Sequence, residues 1–223
     1  MTVKKATCRS CGENNLNLIL SLGHTPLANS LLKESELTLP EEKFPLDLFF
    51  CPNCTLVQIT ETVPPEKLFR DYLYFSSFSD TMLSHSQNLV QEIITDYQID
   101  SKKHVVEIAS NDGYLLQYYQ KAGVPVLGIE PAKNIAKVAK ERGIPTISEF
   151  FGEKLADQLR AEGKEADVIH GHNVLAHVAD LNGFVEGIHR LLKKDGVAVI
   201  EAPYVRDMID HREFDTIYHE HLC

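Results

Sequence analysis

The sequence predicts an α/β protein in which a doubly wound, Rossmann-like parallel sheet follows a small cysteine-bearing domain. Three observations carry that prediction. Residues 104–131 read as an apolar strand with one acid (Val105, Val106, Glu107, Ile108), then a polar turn over 110–113. A helix carrying Tyr114, Leu115 and Tyr118 comes next, stopped by Gly123 and Pro125, and a second strand over 126–129 ends on Glu130. Strand and helix patterns then keep alternating to residue 203. Finally, four of the five cysteines fall as two C-x-x-C pairs ahead of Val63-Pro64-Pro65, which marks a boundary. The expected domains are 1–64, an aromatic linker or lid over 65–79, and an α/β domain over 80–223.

In chain order, Cys8 and Cys11 form C-R-S-C-G, and Cys51 and Cys54 form C-P-N-C. Two such knuckles place four thiolates where a tetrahedral Zn²⁺ can be closed, and a closed four-cysteine site is structural rather than catalytic. The other reading is two thiol pairs that are buried or redox-active. Residues 22–29 read as a turn and short helix, with His24 either a ligand or a satisfied polar histidine. Residues 44–50 alternate as a strand leading into the second knuckle, and 56–59 lead out of it. Residues 69–79 are dense in aromatic and hydroxyl side chains without a clean period, the composition of a packed loop in a usual place for a lid. A helix over 83–97 presents Leu89, Val90, Ile93, Ile94 and Tyr97 on one face. Beyond Glu130 the pattern predicts a helix over 135–142, a strand over 145–147 and a helix over 151–159. A strand over 167–174 has its C-terminal end at the crevice; an amphipathic helix over 179–192 and a strand over 197–203 complete the series.

Composition narrows the partners. A chain of 223 residues with formal net charge −10 and pI near 5.4 lacks the basic stripe of a nucleic-acid surface. No apolar run approaches a membrane span and the start has no signal-peptide core, so a cytoplasmic protein is expected, in which paired cysteines point to metal rather than disulfides.

An acid closing the second strand suits a ribose diol, because one carboxylate can accept from two neighbouring hydroxyls. A dinucleotide site would want G-x-G-x-x-G in the preceding turn, which here has one glycine and two acids nearby, Glu107 and Asp112. Carboxylates repel a pyrophosphate and suit a cation. S-adenosylmethionine, with a ribose, an ammonium and a sulfonium, fits that charge better than NAD. The same turn also reads as a purely structural one with Asp112 as helix N-cap. Two histidine groups could do chemistry: His177 just past the fourth strand, and the terminal Tyr218-His219-Glu220-His221. The His-Glu-His spacing cannot share a helix face and lacks H-E-x-x-H, so a general base is the better reading than a metal site, given an imidazole pKa of about 6.5.

Taken together, C-x-x-C-G, L-x-x-T-P-L-A-N, C-P-x-C with L-V-Q, Y-x-Y-x-S, E-I-x-S-N-D-G, N-V-L-A-H-V and Y-H-E-H-L resemble the sugar C-methyltransferases, from Cys8 to the last residues. The resemblance implies a zinc-binding N-terminal domain and a class I methyltransferase domain acting on a nucleotide-linked keto-deoxysugar. It makes Cys8, Cys11, Cys51 and Cys54 zinc ligands. It sets Glu107, Ala109, Asn111, Asp112 and Gly113 around the methionine end of S-adenosylmethionine, Glu130 with Pro131 at the ribose, and Asn173 beside them. Tyr74 (less surely Tyr72), His177, Tyr218, Glu220 and His221 then face the sugar. His221 is the implied base for an enolate mechanism, Glu220 orients it or grips a hydroxyl, and Tyr74 and His177 donate to the enolate oxygen.

Two departures stand out. The family usually has glycine where this chain has Ala109, and its members continue into a C-terminal domain. Either the sequence is a fragment or truncated gene, or a second polypeptide completes the site; binding of S-adenosylmethionine with slow turnover by this chain alone is expected. Competing readings are a small-molecule O- or N-methyltransferase, which leaves the Y-H-E-H set unexplained, and a non-catalytic zinc-ribbon scaffold.

Overall fold

The computed structural model describes residues 6–69 and 72–223; Arg70 and Asp71 of the expected lid, and the first five residues of the expected zinc domain, lie outside the described residues. The chain divides into two compact units. One comprises the described residues up to Leu68 together with Leu175–Asn182 and Ala202–Cys223; the other comprises Phe69–Val174 and Gly183–Glu201.

In the first, the cysteine unit, β1 (Asn17–Thr25), β2 (Phe44–Phe50) and β3 (Val57–Ile59) form an antiparallel sheet in the order β1-β2-β3. The turn and short helix expected over 22–29 is corrected here: residues up to Thr25 belong to β1 and pair with β2. Register irregularities between Leu18 and Leu20 and between Ser21 and His24 break the two-residue alternation by which the strand would have been recognised. The late segments join this unit through named bonds. Ile59 N–H donates to the Leu222 carbonyl (3.0 Å), and the Arg9 guanidinium donates to the carbonyls of Ile59 (3.2 Å) and Ala179 (3.4 Å). Leu222 packs with Leu46 and Ile59. The sequence expectation ran the α/β domain unbroken from 80 to 223, whereas these segments pack with the cysteine unit. A short helix α1 (Pro65–Phe69) closes the N-terminal segment.

The α/β unit begins with α2 (Asp80–Asp96), whose N-cap Ser79 Oγ accepts from Met82 N–H at 3.2 Å. It continues through β4 (Val105–Ile108), α3 (Leu116–Lys121), β5 (Val126–Ile129), α4 (Lys133–Glu141), β6 (Thr146–Ile147), α5 (Glu153–Ala161), β7 (Ala166–His172), α6 (Leu181–Leu191) and β8 (Leu192–Glu201). β8 starts five residues earlier than the pattern suggested, because Leu192 pairs with Ala166. A helix α7 (Val205–His211) follows in the last segment. All pairings are parallel, in the order β6-β5-β4-β7-β8. The chain leaves β4 toward β5 on one side and reaches β7 on the other, so the order reverses between β4 and β7, where a doubly wound sheet opens its crevice. β4 and β5 are buried at every position, as strands covered on both faces are, and Val105, Val168, Leu116, Tyr119 and Val90 share the core. No helix among the described residues is long and apolar enough to cross a membrane.

Candidate functional site

The turn after β4 is built on left-handed backbone. Ala109 (φ 55°), Asn111 (φ 48°) and Gly113 (φ 81°) occupy that region, as does Asn173 (φ 50°) just past β7. A side chain at Gly113 would meet Ile144 Cγ1 at 2.7 Å, so glycine is required there for space as well. Non-glycine residues held in this region cost of order 1 kcal/mol each and concentrate at functional turns.

Three carboxyl groups surround this turn, all essentially buried: Glu107 and Asp112 at 0 % exposure and Glu130 at 5 %. They differ in what they hold. Glu130 accepts from Asn111 N–H (2.9 Å) and Ala132 N–H (2.8 Å); burial nevertheless pushes its pKa up to about 7, against those two bonds and helped by the Asp112 charge. Asp112 Oδ2 accepts from Arg142 (2.8 Å) and Ser77 Oγ (2.5 Å), while its Oδ1 has no partner among the described residues. Among the described residues, Glu107 has no hydrogen bond of normal geometry on either oxygen. Burial raises its pKa well above the ordinary value; the nearby Tyr114 hydroxyl opposes this, and the charges of Glu130 and Asp112 add to it. Ser110 Oγ is a further buried oxygen without a partner among the described residues. Buried polar atoms are normally satisfied, and this concentration of bare acceptors is what a cationic, multiply donating ligand would meet. The donor set therefore fits the ammonium and ribose of S-adenosylmethionine.

Asn111 ties the turn to a neighbouring segment. Its Oδ1 accepts from Ser76 N–H (3.0 Å) and Asp112 N–H (2.9 Å), and its Nδ2 donates to the Tyr74 carbonyl (3.1 Å), so its side chain fastens residues 72–78 to the turn. The Tyr74 ring is half exposed and Pro131 half-buried. Asn173 is exposed and donates to Glu201 Oε1 at 3.2 Å.

In the cysteine unit the two knuckles share one design. Gly12 N–H donates to the Cys8 carbonyl (3.0 Å) and Thr55 N–H to the Cys51 carbonyl (2.9 Å), with both donors left-handed. The four sulfurs lie within 4.8 Å of one another, Cys8 to Cys54 at 3.5 Å and Cys11 to Cys51 at 3.6 Å. Tetrahedral Zn–S bonds of about 2.3 Å require sulfurs about 3.8 Å apart. The four thiolates fit that ion.

The same unit gathers the terminal cluster. His221 Nδ1 lies 2.9 Å from the Thr216 carbonyl, which can only accept, so the proton of the neutral ring sits on Nδ1. The Nε2 lone pair then faces the Tyr218 hydroxyl at 3.1 Å. The His177 ring meets His221 edge-on at 4.8 Å; burial, and next the His221 charge, lower its pKa to about 4 despite the Glu220 backbone, so it stays neutral. Glu220 is buried, accepts from Asn29 Nδ2 (2.6 Å) and leaves Oε2 without a partner among the described residues; burial raises its pKa, against Asn29 and His221. His219 instead packs on Phe44 and lies 3.2 Å from the Pro45 carbonyl, a structural role.

Sequence reasoning passed over several residues. Asn29, which holds Glu220, lies inside the quoted T-P-L-A-N run, so a signal existed. A buried chain runs from the Tyr119 hydroxyl to His170 Nε2 (2.9 Å) and from His170 Nδ1 to His172 Nε2 (2.9 Å). His172 Nδ1 lies 3.8 Å from Glu201, which His85 meets at 2.7 Å. Its only sequence trace is the i, i+2 spacing of His170 and His172 on one strand face.

Comparison with known proteins gives the family. A domain described as a "Putative zinc binding domain" matches residues 8–69, and a "Methyltransferase domain" matches residues 82–223, more than half of the chain. The chain belongs to the methyltransferase domain family. It is 33% identical to C-methyltransferase NovU of Streptomyces niveus, over 96% of this chain and 51% of that protein. It is 28% identical to the ubiquinone biosynthesis O-methyltransferase of Bartonella quintana, over 43% of this chain and 39% of the relative. The chain thus spans about half, or less, of the length of the curated relatives it matches. Among solved structures it is similar to Streptomyces venezuelae DesVI, with TM-score 0.45 and 14% identity over 55% of this chain and 51% of that one.

Proposed function

We propose that the protein is an S-adenosylmethionine-dependent C-methyltransferase whose acceptor is a nucleotide-linked keto-deoxysugar, methylated through an enolate. The carrying observation is Glu107, a fully buried carboxyl with no hydrogen-bond donor of normal geometry on either oxygen among the described residues, just ahead of a left-handed turn and beside Glu130 and Asp112. Burial disfavours the ionised form of such a group, and the donor's ammonium is the cation that offsets that cost. Glu130 takes the ribose diol on its remaining lone pairs. When bound, S-adenosylmethionine supplies an electrophilic methyl group on a sulfonium.

The likeness to NovU, named a C-methyltransferase, supports carbon as the acceptor. Carbon methylation next to a ketone needs a base for the C–H. His221 is assigned that role, since its Nε2 bears the lone pair when Nδ1–H is given to Thr216. Tyr218 shares that nitrogen and is assigned to follow the proton. Neutral His177 donates to the developing enolate oxygen, as does Tyr74, a contact stronger in the transition state than to the ketone. Glu220, steadied by Asn29, grips a sugar hydroxyl through its second oxygen. Zinc on Cys8, Cys11, Cys51 and Cys54 is structural.

The test pairs two measurements. Calorimetric titration with S-adenosylhomocysteine should show binding that Glu107→Gln weakens about 100-fold. Incubation with methyl-¹³C S-adenosylmethionine and nucleotide-linked keto-deoxysugars should put the label on carbon, and His221→Ala should abolish exchange of the ketone's α-hydrogen with solvent. Label on oxygen, or no binding of the homocysteine, overturns the proposal.

A further inference from the structure

Residues 72–78 are held down by polar side chains rather than by burial: Leu73 is 64 %, Tyr74 50 % and Phe78 80 % exposed. Four fastenings do the holding. Asn134 of α4 exchanges a pair of bonds with the Tyr72 backbone, accepting from its N–H at 3.3 Å and donating to its carbonyl at 2.7 Å. Asn111 accepts from Ser76 N–H and donates to the Tyr74 carbonyl. Ser77 Oγ donates to Asp112 Oδ2 at 2.5 Å. Arg142, just after α4, closes the triangle: its Nη1 reaches Asp112 Oδ2 (2.8 Å), the Asp112 carbonyl (3.3 Å) and Ser77 Oγ (3.0 Å).

We propose that Arg142 is a positioning residue for donor binding, clamping residues 72–78 as a fixed wall of the donor site; this rests on the donor reading above. Charge gives the reason. Glu107, Asp112 and Glu130 form a buried acidic group, and among the described residues Arg142 is the cation paired to it. It neutralises Asp112 through Oδ2 and leaves Oδ1 without a partner among the described residues, so the carboxylate is fixed in orientation while one acceptor stays available. Ser77 receives from Arg142 and gives to Asp112, which ties the segment's position to the same ion pair. A half-exposed guanidinium bonded to the turn thus controls both the charge and the shape of the site.

The test titrates S-adenosylhomocysteine by calorimetry into the wild type, Arg142→Met, Arg142→Lys, Ser77→Ala and Asn134→Ala, with amide exchange read on peptides spanning 72–78. Arg142→Met should weaken binding about 10- to 100-fold, because it leaves a buried carboxylate unpaired. Arg142→Lys, which keeps the cation, should restore most of that loss. Ser77→Ala and Asn134→Ala leave the ion pair in place and should each cost about 3- to 10-fold, with faster exchange over 72–78. Wild-type affinity in Arg142→Met overturns the proposal. A loss confined to Arg142→Met, with Ser77→Ala and Asn134→Ala binding normally, overturns the wall. Absence of binding by the wild type overturns the donor reading itself and is told apart by that control.

Discussion

The two units are stabilised by different means. In the α/β unit β4 and β5 are buried at every residue, and one core joins α2, α3 and the central strands. In the cysteine unit β1 is exposed at seven of its nine residues, and among the described residues Leu46, Ile59 and Leu222 form a small buried apolar cluster. A sheet so thinly covered cannot offset the entropy of ordering its chain by burial, whereas four thiolates on one ion can. One unit is therefore expected to persist without metal, and the other to depend on it.

Chelation is the largest way to break that contrast. Structural zinc sites contribute about 10–16 kcal/mol of apparent folding free energy, so stripping the metal should unfold the cysteine unit outright. Amide exchange is the readout: 44–59 should lose protection while 105–129 keep theirs, and Cys51→Ser should behave alike. Equal protection of 44–59 with and without metal would abolish the distinction. The next effect breaks the α/β unit from inside. His170→Ala deletes a buried imidazole and leaves the Tyr119 hydroxyl and His172 Nε2 without their partner. Cavity and unsatisfied groups together should cost about 3–5 kcal/mol in urea unfolding of the metal-loaded protein.

The same contrast explains what could be read in the sequence. The α/β unit was legible because its strands are continuous apolar runs and its turn residues are chemically distinctive: Glu107, Asp112 and Glu130 could be singled out from spacing alone. The knuckles were legible as paired cysteines. β1 was not, because its irregular register erases the alternation and burial does not select its residues. Nor was the packing of 175–182 and 202–223 with the cysteine unit, to which Arg9, the Leu222 backbone, the Asn29–Glu220 bond and the seat of His219 on Phe44 all contribute and which no local pattern encodes. Polar partners escaped for a related reason: Arg142 and Asn134 look like ordinary helix-surface residues until the fold brings residues 72–78 to them.

Acidity sharpens the picture within the α/β unit. The Glu130 carboxyl is raised from 4.5 to about 7, burial outweighing its two amide bonds. Between those values the native state holds a proton that the unfolded state has released, so its contribution is present below pH 4.5 and is lost as pH rises through about 7. His170, lowered from 6.5 to about 3 by burial and then by the His172 charge, acts oppositely, its contribution being lost as pH falls below 6.5. The two overlap, so Glu130 is read by difference: relative to Glu130→Gln, the wild type should lose about 3 kcal/mol of stability between pH 4.5 and 8. A flat difference would mean that Glu130 ionises normally despite its burial.

The smallest effect tests turn chemistry in both units. Ala109 after β4 and Thr55 in the second knuckle both sit in the left-handed region, at φ 55° and 64°. In the first knuckle the equivalent position is Gly12, at φ 75°, so the comparison of Thr55 with Gly12 shows what the chain uses when nothing opposes glycine. Ala109→Gly relieves its strain and deletes only a half-buried methyl, and should stabilise the α/β unit by about 1 kcal/mol. Thr55→Gly relieves the same strain and also removes the hydroxyl's bond to the Cys54 carbonyl (2.6 Å), so its net gain should be smaller. Urea midpoints of the metal-loaded protein decide the matter. Should Ala109→Gly gain nothing, that turn is held by Asn111 and its bonds to residues 72–78 rather than by the preference of its own backbone, and the strain at Ala109 is already offset by the fastening that Arg142 completes.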